Sequence, residues 1–219
     1  MFQHQTIHGE KLNSPLGKIV CVGRNYAEHA KELGNEVPKS PLLFIKPATA
    51  AVELEKPFSI PSDMGPVHHE VEIALLITKT ASSINEEDAW GCVSHVGVAL
   101  DLTLREVQDK LKAKGQPWEI AKAFDGACPL SSWVPISQIR DKNSIQIRLE
   151  RNSEMKQDGY SDQMIASIPK LVSYISQFFT LQEGDVILTG TPAGVGPLNS
   201  GDILKATLDA RYEFSSKVL

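Results

Sequence analysis

Short apolar runs rich in β-branched residues recur along the chain, each bounded by turn-forming residues. They fall at 18–22, 41–45, 71–77, 93–102, 145–149 and 185–188. Runs of this length and composition predict strands rather than helices. Helical spacing is rarer and is confined to residues 26–33, 86–90, 104–114 and 168–179. Asn25 is placed to cap the first of these, and Gly34 to end it. Strands and helices do not alternate regularly, so the pattern predicts an α+β, mostly β fold rather than a doubly wound sheet. No internal repeat or linker interrupts it. The Lys46-Pro47, Lys56-Pro57 and Ile60-Pro61 steps read as loop punctuation, which leaves one domain over residues 1–219.

Composition narrows the function classes. At 219 residues and 42% hydrophobic the chain can bury one substantial core. Its 22 basic and 27 acidic residues give a net charge of -5 with no long run of like charge, which disfavours nucleic acid or an anionic membrane as partner. No apolar run approaches the roughly 20 residues a membrane-spanning helix needs. The N-terminal stretch lacks the basic and apolar regions of a secretory signal, so a cytoplasmic location is expected. Cys21, Cys92 and Cys128 have no CxxC spacing and read as reduced core residues.

Candidate chemistry concentrates where polar residues introduce apolar strands. In an extended chain His68, Glu70 and Glu72 share one face while Val71 and Ile73 point the other way. Two carboxylates so placed are a natural start to a site for a hard divalent cation. Spacing alone does not separate them from Glu53 and Glu55, or from Glu86 and Asp88, which read as solvated faces. Context does, because Glu70 and Glu72 open the most apolar strand, where unpaired carboxylates are costly. Asp101 ends the apolar stretch 96–100 and is either a third acidic ligand or the cap of the helix near Leu104, a role Thr103 could also fill. On a helix, His29 and Glu32 lie on one face, either as a carboxylate-oriented general base or as an exposed ion pair. Lys122 sits among apolar neighbours, as a site residue or as a snorkelling lysine. The Gly/Thr-rich loop 189–197 can offer N–H groups and hydroxyls to an anion, or can simply join two strands. It is neither a P-loop nor a dinucleotide fingerprint.

These segments occur together as Val22-Gly23-Arg24-Asn25-Tyr26-Ala27-Glu28-His29, Phe44-Ile45-Lys46-Pro47, His68-His69-Glu70-Val71-Glu72, Asp101-Leu102-Thr103, Ala121-Lys122-Ala123-Phe124-Asp125 and the run from Leu188 to Gly196. In that order they resemble the fumarylacetoacetate hydrolase family, in its short, single-domain acylpyruvate hydrolase branch, from about residue 18 to the C-terminus. The resemblance implies a mixed β-sandwich-like roll with short peripheral helices, and a homodimer. It implies one Mg²⁺ or Mn²⁺ per subunit on Glu70, Glu72 and Asp101, with His29 and Glu32 as a dyad on a mobile lid. It further implies Lys122 beside the metal, and Arg24, Gln108 and Thr191 as substrate contacts. The lid stretch 33–40 varies within the family. The expected reaction is C–C hydrolysis of an acylpyruvate, a 2,4-dioxo acid such as acetylpyruvate or fumarylpyruvate, to pyruvate and a carboxylic acid. The alternatives are oxaloacetate decarboxylation or keto–enol tautomerisation at the same site. A protein that only binds a cation or small acid is more remote, since binding alone does not require both His29 and Glu32.

Overall fold

A computed structural model describes residues 2–34 and 36–219; Met1, and Asn35 within the variable lid stretch, lie outside it. The architecture is mostly β. A mixed sheet of eight strands runs, edge to edge, through Leu42–Lys46, Ile19–Gly23, Val186–Leu188, Val71–Ile77, Val93–Leu100, Cys128–Leu130 and Ala51–Glu53, with Val134–Pro135 paired on Val93–Leu100. A second, antiparallel sheet of four orders Glu154–Tyr160, Gln146–Arg151, Ile203–Leu208 and Tyr212–Lys217. A small third sheet joins Gly196–Pro197, Val67–His69 and Thr103–Leu104. Among the described residues four short α-helices decorate these sheets: α1 (Ala27–Glu32), α2 (Arg105–Ala113), α3 (Glu119–Lys122) and α4 (Ile168–Phe178).

The large sheet is buried on both faces. Ile73, Leu75 and Val98 pack with Ile147, Leu149, Leu204 and Phe214 of the four-stranded sheet and with Leu171 and Ile175 of α4. On the opposite face Ile19, Cys21, Ala74, Leu76 and Leu188 pack around Trp133, covered in part by Phe2, Leu12 and Leu16. Burial on two sides explains why the central strands read as unbroken apolar runs. Every residue of Val71–Ile77 is buried, at about 1.5–3 kcal/mol for each large aliphatic side chain. The four-stranded sheet instead alternates, with Ile147 and Leu149 inside and Arg148 half-exposed.

Several local expectations are corrected. Asn25 does not cap α1: Tyr26 holds that position without a side-chain bond. The Asn25 amide instead donates to the carbonyls of Ala166 and Thr189 and accepts from the Ala166 N–H, tying the start of α1 to two distant segments. Neither Asp101 nor Thr103 caps α2, whose preceding residue is Leu104. Residues 86–91 form a 3₁₀ rather than an α-helix. The strands Glu154–Tyr160, Ile203–Leu208 and Tyr212–Lys217 went unpredicted, because their polar outward faces dilute the apolar signal. Gly34 does end α1, at φ +63° with its N–H bonded to the Lys31 carbonyl.

Candidate active site

Chain topology gathers residues remote in sequence into one buried cluster. Glu70 occupies the break between Val67–His69 and Val71–Ile77. Its carbonyl accepts from the Asp101 N–H at 2.8 Å, which places the end of the neighbouring strand beside it. Glu72 lies on the same sheet, and the three carboxylates each present an oxygen within 4.8 Å of the others. All three are buried, Glu72 and Asp101 to 1% exposure.

Three cations face two of these carboxylates, Glu70 and Asp101. Lys122, carried by α3, donates to Glu70 Oε2 at 2.8 Å and to Asp101 Oδ2 at 2.6 Å. Arg105, on α2, bonds Glu70 Oε1 and donates to Gln108 Oε1 at 2.7 Å. Lys46, fully buried, stands 2.8 Å from Asp101 Oδ1 and donates to the backbone carbonyls of Lys122 and Ala127. Lys122 is therefore no snorkelling surface residue. Burial opposes its charge, but Asp101 and Glu70 outweigh that and push its pKa up, so it is an ammonium. Burial would likewise raise Glu70, yet Lys122 and Arg105 hold its carboxyl well below the usual range.

Glu72 behaves differently. Burial, reinforced by Asp101 and Glu70, pushes its carboxyl well above the ordinary value, against one opposing hydrogen bond from the Gly190 N–H at 2.6 Å. Asp101 Oδ1, although close to Lys46, accepts no well-directed hydrogen bond. A buried oxygen with unused capacity, in an all-oxygen donor set of three carboxylates, fits a hard divalent cation such as Mg²⁺ or Mn²⁺. Gly190, at φ +97°, is required where it stands, since a Cβ would lie 2.7 Å from that of Asn25.

Helix α1 borders this cluster. His29 is 5% exposed and lines the same pocket as the carboxylates, with Arg24, Gln108, Lys122 and Thr191. Its Nδ1 lies 3.4 Å from Glu32 Oε2. Glu32 also accepts from the Gly194 N–H at 3.1 and 3.2 Å, so one carboxylate joins α1 to the 189–197 loop and orients the imidazole. Burial lowers the His29 pKa against the pull of Glu70 and Glu32, leaving a neutral ring with Nε2 free of the Glu32 contact. The exposed-ion-pair reading fails for His29, though Glu32 is one-third exposed. Thr191 Oγ1 accepts from Gln157 Nε2 at 2.7 Å, while Gln157 Oε1 accepts from the Val71 N–H at 3.0 Å.

The pocket thus unites eight of the nine expected residues, with Glu32 immediately behind His29. Sequence reasoning missed Lys46, Arg105 and Gln157. Lys46 carried a signal, as the lone charge ending an apolar strand, and Arg105 stands three before Gln108 on a helix. Gln157 lies on an alternating strand and carried none. His68, expected to share the face of Glu70 and Glu72, is instead half-buried in an adjoining outer cavity with Arg105 and Glu32.

Similarity to known proteins agrees with this geometry. The chain is 51% identical to oxaloacetate tautomerase YcgM of Escherichia coli, over 100% of both chains. It is 44% identical to a mitochondrial oxaloacetate decarboxylase of Dictyostelium discoideum, covering 86% of this chain and 87% of the relative. Its structure superposes with TM-score 0.91 on fumarylpyruvate hydrolase from Pseudomonas aeruginosa in complex with Mn²⁺ and pyruvate, at 38% identity over 98% of this chain and 94% of the other. The relatives named for oxaloacetate are the more similar in sequence, which shifts the weight away from the expected C–C hydrolysis. The fumarylacetoacetate (FAA) hydrolase C-terminal family model matches residues 18–218, and the chain is an enzyme of the fumarylacetoacetate hydrolase family.

Proposed function

We propose that this chain is a divalent-cation-dependent oxaloacetate tautomerase, moving one proton between C3 and the C2 oxygen of its substrate. The observation that carries this reading is a buried, neutral His29 facing a carboxylate triad that suits a hard cation. The full-length similarity to a tautomerase supports it. Glu70, Glu72 and Asp101 would hold the cation, which supplies Lewis-acid polarisation of the substrate's oxo and carboxylate oxygens. His29 Nε2 takes the proton from C3, and Glu32 stabilises the imidazolium through Nδ1–H. The C3–H electron pair becomes the C2–C3 double bond, and negative charge develops on the C2 oxygen. Lys122, held as an ammonium, stabilises that charge. The His29 imidazolium then gives its proton to that oxygen, directly or through one water, so the enol forms and the neutral base is regenerated. Arg24, Gln108 and Thr191 orient the substrate.

Hydrolysis of an acylpyruvate is the second reading, favoured by the likeness to a fumarylpyruvate hydrolase, with His29 activating water instead of C3. Oxaloacetate in deuterium oxide with Mn²⁺ or Mg²⁺ separates the outcomes. Tautomerisation accelerates loss of enol absorbance and deuterium entry at C3 without matching release of pyruvate. If pyruvate and CO₂ appear as fast as the enol disappears, decarboxylation replaces this reading. If only acylpyruvates are consumed, yielding two acids, hydrolysis does.

A further inference from the structure

Lys112 is a cation of the pocket with no part in the cluster just described. Arg105, Gln108 and Lys112 follow one another at i, i+3 and i+7 on α2 and so share a face. Arg105 and Gln108 reach the inner site, whereas Lys112 lines both the catalytic pocket and the adjoining cavity of about 330 Å³. Its side chain is 23% exposed, against 1% for Asp101, so it stands at the outer end of the path to the triad. Helical side chains lean toward the N-terminus, which aims the Lys112 ammonium back along α2 toward the Glu70 end.

Lys112 is held in place but poorly neutralised. Its Nζ lies 5.6 Å from the centre of the Trp118 ring, which in turn packs on Phe44. Its single ion pair among the described residues is a 3.7 Å contact with Asp109, itself 63% exposed. Arg24, which lines the same pocket, makes no side-chain hydrogen bond or ion pair among the described residues. Burial first, then Arg105, and Arg24 more weakly, push the Lys112 pKa down, as expected where cations converge without enough anions.

We propose that Lys112 is a specificity-determining residue that binds the distal carboxylate of a four-carbon 2-oxo dicarboxylate. The assignment rests on the oxaloacetate reading above and deepens it. A substrate whose C1 carboxylate and C2 oxygen face the triad directs its C4 group outward along α2, to Lys112. An acylpyruvate with an apolar acyl group brings no charge to that place, so the ammonium discriminates between the two substrate classes. A charge-assisted hydrogen bond there is expected to contribute about 10- to 100-fold in affinity.

The test compares wild type with Lys112→Met and Lys112→Arg, each loaded with Mn²⁺. For Lys112→Met the KM for oxaloacetate is expected to rise about 10- to 100-fold with kcat changed less than about threefold, and Lys112→Arg is expected to recover most of it. Calorimetric titration with malate and lactate, which share a 2-hydroxy acid but differ in the distal carboxylate, removes turnover from the comparison. Lys112→Met is expected to weaken malate and spare lactate. Equal losses for both ligands, or none for either, would overturn the assignment. Failure of wild type to process oxaloacetate, with malate binding still dependent on Lys112, would overturn the proposed reaction and leave this subsite standing.

Discussion

Glu53-Leu54-Glu55 and Glu70-Val71-Glu72 have the same spacing, and the fold gives them opposite fates. Glu53 ends a short edge strand, pairs with Lys56 at 2.8 Å and keeps one-third of its side chain exposed. Glu55 is exposed and accepts from the Ser132 N–H and hydroxyl at 2.8 and 2.7 Å. Pairs of this kind contribute about 0–1 kcal/mol. Glu70 and Glu72 open the central strand of a sheet covered on both faces, where water cannot solvate them. There the charges must be met by Lys122, Arg105 and Lys46, or by a cation, and removing one partner of a buried pair costs about 3–5 kcal/mol. Identical carboxylate spacing becomes a site or a rim according to what the sheet packs against.

The largest expected effect breaks the inner pair. Exhaustive chelation should reduce oxaloacetate turnover about 10⁴-fold or more, with recovery on adding Mn²⁺ or Mg²⁺. Glu72→Gln should weaken Mn²⁺ binding by more than the roughly 10- to 100-fold carried by outer partners of a metal site. Metal titration and steady-state rates on the same preparation check both, and undiminished turnover after chelation would end the cation mechanism.

Next in size is His29→Ala, which removes the base and leaves the carboxylates intact. Its kcat should fall about 10²- to 10⁴-fold, while Mn²⁺ affinity stays near that of wild type. A wild-type rate in this variant would return His29 and Glu32 to the status of an ordinary ion pair.

Lys46→Met probes the balance of charge beneath the site. Without added cation it should lose about 3–5 kcal/mol of stability, measured by urea unfolding, because Asp101 is left with less compensation. Saturating Mn²⁺ should recover part of that loss, since a bound ion favours the folded state and restores positive charge. A loss independent of Mn²⁺ would mean that Lys46 acts through its backbone contacts alone.

The smallest effect is the outer control. Glu53→Gln should change stability by less than about 0.5 kcal/mol and leave turnover unchanged. A loss comparable with that of Glu72→Gln would dissolve the contrast between the two pairs.

Much of this site was legible in one dimension because its chemistry sits on local motifs. The turn of α1 sets His29 beside Glu32, strand period aligns Glu70 with Glu72, and an apolar strand must stop where Asp101 begins. Those relations follow from backbone periodicity, which a sequence carries directly. The strands that escaped prediction, such as Tyr212–Lys217, alternate against a single covering layer, and their outward polar residues mimic loop.

The sequence by itself determined the mostly β class, the central two-sided strand and the candidate carboxylates, because solvent exclusion imprints its pattern on consecutive residues. Only the tertiary structure decided that Lys46, Arg105 and Lys122 pair with Glu70 and Asp101, that Asn25 anchors the start of α1 rather than capping it, and that Glu32 reaches Gly194. Each joins residues from separate elements. Such pairings depend on strand order and on which faces meet, whereas local periodicity reports only that a face will be buried, not what will cover it.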